Sequence, residues 1–230
     1  MRTQFLSDLG ITLTEVQLNQ FETYFNYLIE QNQVMNLTAI TEEKDVYYKH
    51  FYDSVSLIKA IDFNAIQSIC DIGAGAGFPS IPLKIIFPHL QVTIVESLQK
   101  RIGFLSRLSL KLEIDGIELI ANRAEVFAEN NRNRFDLVTA RAVAPIKILD
   151  ELALPMVKLG GTLLAMKASN FHEELKEASK GITILGGRVE RVESFELPFD
   201  YGVRHLLVIK KVKINDKYPR SYAQIKNKPL

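Results

Sequence analysis

The chain has 230 residues, of which 47% are hydrophobic and 24% charged, and its formal net charge is +1. That balance gives ample core for a folded protein and excludes a disordered chain or one that binds nucleic acid through bulk positive charge, so any basic surface must be local. The single cysteine, Cys70, excludes an internal disulfide or a cysteine-based metal site, and no metal is expected.

Cys70 falls inside an apolar run and reads as a buried thiol in a reducing compartment. No apolar run is long enough to span a membrane, and the first residues carry no signal-peptide pattern, so a cytoplasmic protein without membrane contact is expected.

Residues 1–62 are expected to form a helical extension. Thr14 and Gln17 have the spacing of a capping box, with Leu13 and Leu18 placed for a hydrophobic staple. Val16, Leu18, Phe21, Tyr24, Phe25, Leu28 and Ile29 then recur at helical spacing, which predicts a buried face rather than a stacking surface. Residues 36–41 read as a connector and 42–61 as another helix. On that helix His50 and Asp53 lie three apart and share a face, either tying the helix to a sheet or touching substrate.

From 66 to 211 strand and helix patterns alternate, which predicts an α/β fold with a parallel sheet. Residues 68–72 suit a buried strand, and the glycine turn Gly73-Ala74-Gly75-Ala76-Gly77 follows. Pro79 and Pro82, with Ile81, Leu83, Ile85 and Ile86, then open a helix, where proline's missing N–H does no harm. Residues 91–96 form a second strand ending in Glu96, roughly 20 residues past the glycines, where a carboxylate can accept from both ribose hydroxyls. Phe78 stands where a dinucleotide binder would place its third glycine, which favours a nucleoside without phosphates, such as S-adenosylmethionine, over NAD.

A helix over 98–112 opens with Gln99, Lys100 and Arg101. Strands are predicted at 116–121, 135–140 and 162–167, the last introduced by Gly160 and Gly161. A charged helix is expected from Asn170 to about 180, and 183–195 and 204–212 should pair as closing antiparallel strands. From Lys210 onward seven lysines and arginines, Arg220 among them, face Asp216 alone, with Tyr218 and Tyr222 interleaved. Such a stretch is either a solvated tail or an arm that contacts phosphates.

The motifs DIGAGAGFPSIPLKI, VESLQKRIGFL, NRAEVF and TARAVAP, the upstream NLTAIT and HFYDS, and the terminal KYPRSYAQIKNKPL together resemble one family nearly end to end. It is the bacterial small-subunit ribosomal RNA methyltransferase family also called glucose-inhibited division protein B. The resemblance implies a class I methyltransferase: a Rossmann-like, mostly parallel seven-stranded sheet with S-adenosyl-L-methionine as donor. It further implies methylation of guanine N7 in the 530 loop of 16S rRNA, on the RNA or the small ribosomal subunit; a monomer that does not bind DNA is expected. The division expected is a helical extension (1–62), a methyltransferase domain (63–212) and a basic tail (213–230).

Residue by residue, the resemblance implies cofactor contacts from Gly73, Phe78, Ala124, Glu125 and Arg141, to which the strand-end position adds Glu96. Arg141 is also the catalytic candidate. It could pair with the cofactor's carboxylate, offer N–H donors to guanine O6, or serve in a structural ion pair. His50, Lys100, Arg101, Lys167, Arg204 and Arg220 are RNA-contact candidates. Where family members often have a glycine, this chain reads Met166-Lys167-Ala168.

Guanine N7 has a lone pair and no proton, so its methylation needs no general base. The Asn/Asp-Pro-Pro-aromatic motif of exocyclic-amine methylation is replaced here by Arg141-Ala-Val-Ala, and Cys70, upstream of the glycine turn and inside a strand, is not placed as a C5-pyrimidine nucleophile. Two other readings remain open at this level. One is a class I methyltransferase for a small molecule; the other is an RNA-binding module without activity on the same fold.

Overall fold

The computed structural model describes residues 2–168 and 171–230, so the expected helix start at Asn170 lies outside the described residues. Seven strands form one sheet in the order β3-β2-β1-β4-β5-β7-β6. β1 (Ser68–Ile72), β2 (Gln91–Glu96), β3 (Ile117–Ala121), β4 (Phe135–Arg141) and β5 (Val157–Lys167) pair in parallel. β7 (Val203–Lys211) runs antiparallel between β5 and β6 (Gly187–Glu196).

The winding reverses at β1, from which the chain first builds outward through β2 and β3 and then returns on the other side at β4. Such a switch point is where open α/β sheets bind ligands, beyond the carboxyl ends of the strands. Those ends are level: Ile72 is paired with both Val95 and Ala140, and Arg141 with Met166.

β1 and β2 have the expected bounds. β5 starts earlier than expected, at Val157, because its ladder with β4 skips from Val157 to Thr162 across a bulge holding Gly160 at φ 77°. The start of β6 is later than expected, since Thr183 and Ile184 complete a helix.

The helices are α1 (Glu15–Met35), α2 (Glu43–Val46), α3 (Asp53–Val55), α4 (Ser80–Ile86), α5 (Gln99–Lys111), α6 (Ala124–Asn130), α7 (Ile146–Ala153), α8 (Phe171–Ile184) and α9 (Tyr222–Asn227). Thr14 caps α1 in a reciprocal box with Gln17. Phe21, Tyr24 and Leu28 are buried as the stripe predicts, but Val16 is 68% exposed. It stands five residues before Phe21, which turns it off the face that spacings of three and four define. The expected helix over 42–61 is interrupted by a π-helical segment, Tyr47–Tyr52, between α2 and α3.

Two apolar layers sandwich the sheet. Phe5, Phe21, Tyr24 and Phe51 of the N-terminal helices share one with Ile69, Ile81, Phe104 and Leu137. Val138, Leu149, Leu163 and Leu207 belong to the other, as does Cys70, whose thiol burial pushes far above its ordinary value.

The C-terminal stretch is folded against the domain and is not a solvated tail. Arg132 Nε donates to Tyr218 O at 2.8 Å, and Asn215 Nδ2 to Ile184 O at 2.8 Å. Arg220 forms a two-pronged ion pair with Glu151, whose side chain is 1% exposed. Ser221 and Gln224 close a capping box on α9, and Ile225 is buried. Lys211 is buried too, donating to Leu154 O and Leu185 O at 2.9 Å. A protein interior binds this segment, so two of its cations are spent internally.

Candidate active site

The glycine turn sits at the carboxyl end of β1, with Gly73, Gly75 and Gly77 all at positive φ. The reasons differ along the turn. A Cβ on Gly75 would meet nothing within 4 Å, so its backbone faces open space, whereas one on Gly77 would strike Ile81 at 2.6 Å and Tyr24 Oη at 2.8 Å. Gly77 is therefore dictated by packing from α1, and Gly75 by the cleft. Tyr24 Oη donates to Ala76 O at 2.5 Å, so α1 pins the turn from beneath.

A cleft runs over the ends of β1, β2 and β3, lined by Gly73, Glu96, Ala124 and Glu125 with Val143 and Tyr222. Glu96 is 3% exposed. Its carboxylate accepts from Leu98 N at 3.1 Å, Arg101 Nη1 at 3.2 Å and Gly75 N at 3.3 Å. Those bonds aim the carboxylate and leave about one of its four lone-pair sites for a ligand donor. The cleft measures 150 Å³ and is narrowed by Val143, which leans over Gly73. Open backbone at Gly75 and an aimed acceptor at Glu96 fit the adenosine of S-adenosylmethionine. Beneath the cleft Asp71 is fully buried, and burial raises its carboxyl to about 7 although Ser80 N donates to it.

A second cavity, of 460 Å³, opens over the ends of β4 and β5. That volume lies within the range of small-molecule sites, about 300–1,000 Å³. Its walls come from four places in the chain: Lys49, His50 and Asp53 around the π-helical segment, Arg141, Lys167, and Arg204 on β7. The extra residue in a π turn reorients side chains at functional sites. Here the segment carries Lys49 and His50 to the cavity wall.

Asp53, 2% exposed, binds both arginines: Arg141 Nη1 lies 3.1 Å from Oδ2, and Arg204 Nε lies 2.9 Å from Oδ1. Arg141 also lies over the Phe78 ring, 4.7 Å from its centroid. The His50 ring stacks on Phe78 at 4.5 Å, with Nε2 2.8 Å from Thr38 Oγ1 and Nδ1 3.4 Å from Arg141 Nη2. Burial, then the Arg141 charge, lower the His50 imidazole to about 3, so it is neutral near pH 7. Lys167 Nζ donates to Ala144 O and Glu174 at 2.8 Å. The result is a cationic cavity wall held rigid by one buried carboxylate.

Residues 141–144 divide the two spaces. Arg141 and Ala142 line the cavity, Val143 and Ala144 the cleft. Gly73, Glu96, Ala124 and Glu125 thus gather in one cleft. Arg141, His50, Lys167 and Arg204 gather in the other, where Asp53 ties its helix to the sheet through Arg141 and Arg204 and also lines the wall.

Three of the expected site residues lie outside the two spaces or are already paired. Phe78 does not line the cleft: its ring is 4% exposed, stacked on Tyr24 and His50, and forms the floor under Arg141. Arg101 is ion-paired with Glu96 and Arg220 with Glu151. Lys100 stays exposed.

Sequence reasoning missed Thr38, Ile40 and Lys49 beside the cavity and Val143 and Tyr222 in the cleft. Two of the stretches that carry the resemblance, NLTAIT and KYPRSYAQIKNKPL, contain Thr38, Ile40 and Tyr222 and were the available signal.

Among the described residues no group of His, Cys, Asp and Glu side chains is placed to hold a metal, and no helix is long and apolar enough to cross a membrane. Solved structures share the fold. M. jannaschii TYW2 in complex with AdoMet aligns with a TM-score of 0.54 at 16% identity, over 71% of this chain and 76% of that one. Precorrin-6y C5,15-methyltransferase from Geobacter metallireducens GS-15 aligns at 0.52 and 17%, over 69% and 86%.

Sequence relatives are much nearer. The ribosomal RNA small subunit methyltransferase G of Staphylococcus carnosus is 53% identical over 98% of this chain and 95% of its own length. The protein of the same name in Bacillus subtilis is 48% identical over 99% and 97%. The profile of that family, described as rRNA small subunit methyltransferase G, matches residues 17–207. With its seven-stranded switch-point sheet, glycine turn and paired cavities, the chain belongs to the rRNA small subunit methyltransferase G family.

Proposed function

We propose that the chain transfers a methyl group from S-adenosylmethionine to N7 of a guanine in the 530 loop of 16S rRNA. The observation that carries the reading is the adjacency of an adenosine-fitting cleft and a cationic nucleobase-sized cavity across residues 141–144. S-adenosylmethionine, when bound, supplies an electrophilic methyl on a sulfonium. Glu96 holds the ribose, Ala124 and Glu125 border the base, and the Gly73–Gly75 backbone lets the ligand approach the sheet edge.

Guanine N7 carries its own lone pair, so no residue need remove a proton. The cavity's contribution is to hold the base in line, and such positioning is worth up to ~7–11 kcal/mol. Arg141, kept in place by Asp53 and Phe78, offers donors to O6 while leaving N7 free. Neutral His50 supports Arg141 without adding charge. Methylation leaves the base cationic beside Arg141 and Arg204, and like-charge repulsion then favours product release.

On this reading 1–62 supply a wall of the base cavity, 63–212 the cofactor sheet, and 213–230 a closing segment. The protein works in the cytoplasm as a monomer, on 16S rRNA within a small-subunit particle. A basic cavity wall favours RNA over a neutral small molecule.

The test uses 30S subunits and free 16S rRNA from cells lacking the enzyme, incubated with protein and tritiated-methyl S-adenosylmethionine, followed by nucleoside analysis. Label in 7-methylguanosine from one loop is expected, and the labelled particle identifies the substrate. Label in another nucleoside, or none, overturns the assignment.

A further inference from the structure

The sheet order fixes the direction in which a nucleoside lies across the cleft. Glu96 marks the ribose at β2, and the base cavity lies at β4 and β5, on the far side of β1. The reacting end of the donor must face that cavity, so the adenine must extend the other way, over the end of β3. There the cleft wall is Asn122–Glu125 together with Tyr222, the first residue of α9. Arg123 lies over the Tyr222 ring at 4.6 Å and is within 3.2 Å of Glu125, so the ring is held against that wall.

Tyr222 reaches this place because the chain before and after it is fastened. Arg220 is gripped by Glu151 on α7, Tyr218 O accepts from Arg132, and buried Ile225 anchors α9. Leu230 lies against the Gly181 face of α8. These anchors bury charge and apolar surface that a solvated arm would leave in water.

Resting on the reading of the cleft as the S-adenosylmethionine site, we infer that residues 213–230 are a strap that completes the adenosine end of the cleft. Tyr222 is its adenine-contacting residue. Binding energy for the donor then comes partly from the extreme C-terminal segment, which has no place in the seven-strand sheet. Strap and ligand are coupled: whatever holds the strap down tightens adenosine binding, and bound adenosine holds the strap down by the same factor.

The experiment is calorimetric binding of two ligands to the full chain. S-adenosylhomocysteine carries the whole scaffold, and 5′-methylthioadenosine only its adenosine half. Tyr222→Ala weakens both about tenfold, the scale of losing one aromatic contact to a base. Tyr222→Phe binds both within about twofold of wild type, because the ring is what the adenine meets.

Arg220→Gln, which keeps Tyr222 but loosens the strap, also weakens both and speeds trypsin cleavage after Lys217 and Lys226. S-adenosylhomocysteine protects those sites in wild type. Equal loss for both ligands assigns the contact to adenosine. Unchanged binding by Tyr222→Ala, or by an Arg220→Gln chain whose strap trypsin shows to be open, overturns the inference and leaves the methyltransferase reading intact. Failure of the wild type to bind either ligand overturns that reading itself, and this inference with it.

Discussion

The cleft over β1, β2 and β3 and the cavity over β4 and β5 share the backbone of residues 141–144 but are assembled in opposite ways. Most of the cleft follows chain order, each strand end delivering its ligand residue: Gly73 after β1, Glu96 closing β2, Ala124 after β3. The cavity draws Lys49, His50 and Asp53 from the N-terminal helices, Arg141 from β4, Lys167 from β5 and Arg204 from β7. The cleft is held by backbone geometry, and few of its groups carry charge. The cavity is held by charges, with one carboxylate buried between two guanidiniums. On the proposed reading, the base is held in the region that depends on long-range charge pairing, and the cofactor in the region that depends on strand ends.

The sharpest way to break this contrast is Arg141→Ala. Loss of one aimed donor should lower methyl transfer by about 10²–10³-fold while S-adenosylhomocysteine binding stays within a few-fold. Single-turnover rates beside calorimetry separate the two, and near-wild-type turnover removes Arg141 from the chemistry.

Stability against pH distinguishes the regions independently, because His50 belongs to the cavity and Asp71 underlies the cleft. His50 titrates near 3 folded against 6.5 unfolded, so between those values the unfolded chain binds more protons and stability falls as pH drops. Asp71 titrates near 7 folded against 3.8, so there the folded chain binds more protons and stability rises as pH drops. From pH 7 to 5 each contributes about 2 kcal/mol, with opposite sign, and wild type shows little net change from the pair. His50→Gln should therefore gain stability on acidification and Asp71→Asn lose it, as read by urea unfolding at the two pH values. Parallel shifts in both variants would count against the burial argument.

Glu96→Ala should weaken S-adenosylhomocysteine about tenfold, the scale of hydrogen bonds to a charged group, with RNA affinity unchanged. If RNA affinity fell equally, the cleft and the cavity would not be separate sites.

Lys100→Ala is the mildest case. As an exposed cation it should cost RNA affinity only a few-fold, uniformly across sequences, and lower the salt slope by about one. Arg101→Ala should instead act on the cofactor, because its guanidinium belongs to Glu96. A larger salt effect for Arg101 than for Lys100 would reverse that assignment.

How legible each residue was depends on which forces place it. Gly73 and Glu96 could be placed because a glycine turn, a strand end and a spacing of roughly 20 residues are local patterns with a local cause, whereas Ala124 came from the family resemblance. The capping box at Thr14 and Gln17 belongs to the same kind. The packing of Phe78 beneath Arg141 could not be read, since nothing local announces that Tyr24, 54 residues earlier, stacks on it. Nor could the partner of Arg220 be read, because charge composition does not reveal Glu151, 69 residues away.

From sequence alone came the α/β class, the order of strands and helices, the ligand edge and the family resemblance, because periodicity, glycine turns and caps act over a few residues. Only the tertiary structure decided which charges are spent on each other, that Asp53 joins two arginines, and that the C-terminal segment folds back to place Tyr222 beside the cleft. Those outcomes depend on burial, and burial is a property of what the rest of the chain places around a side chain.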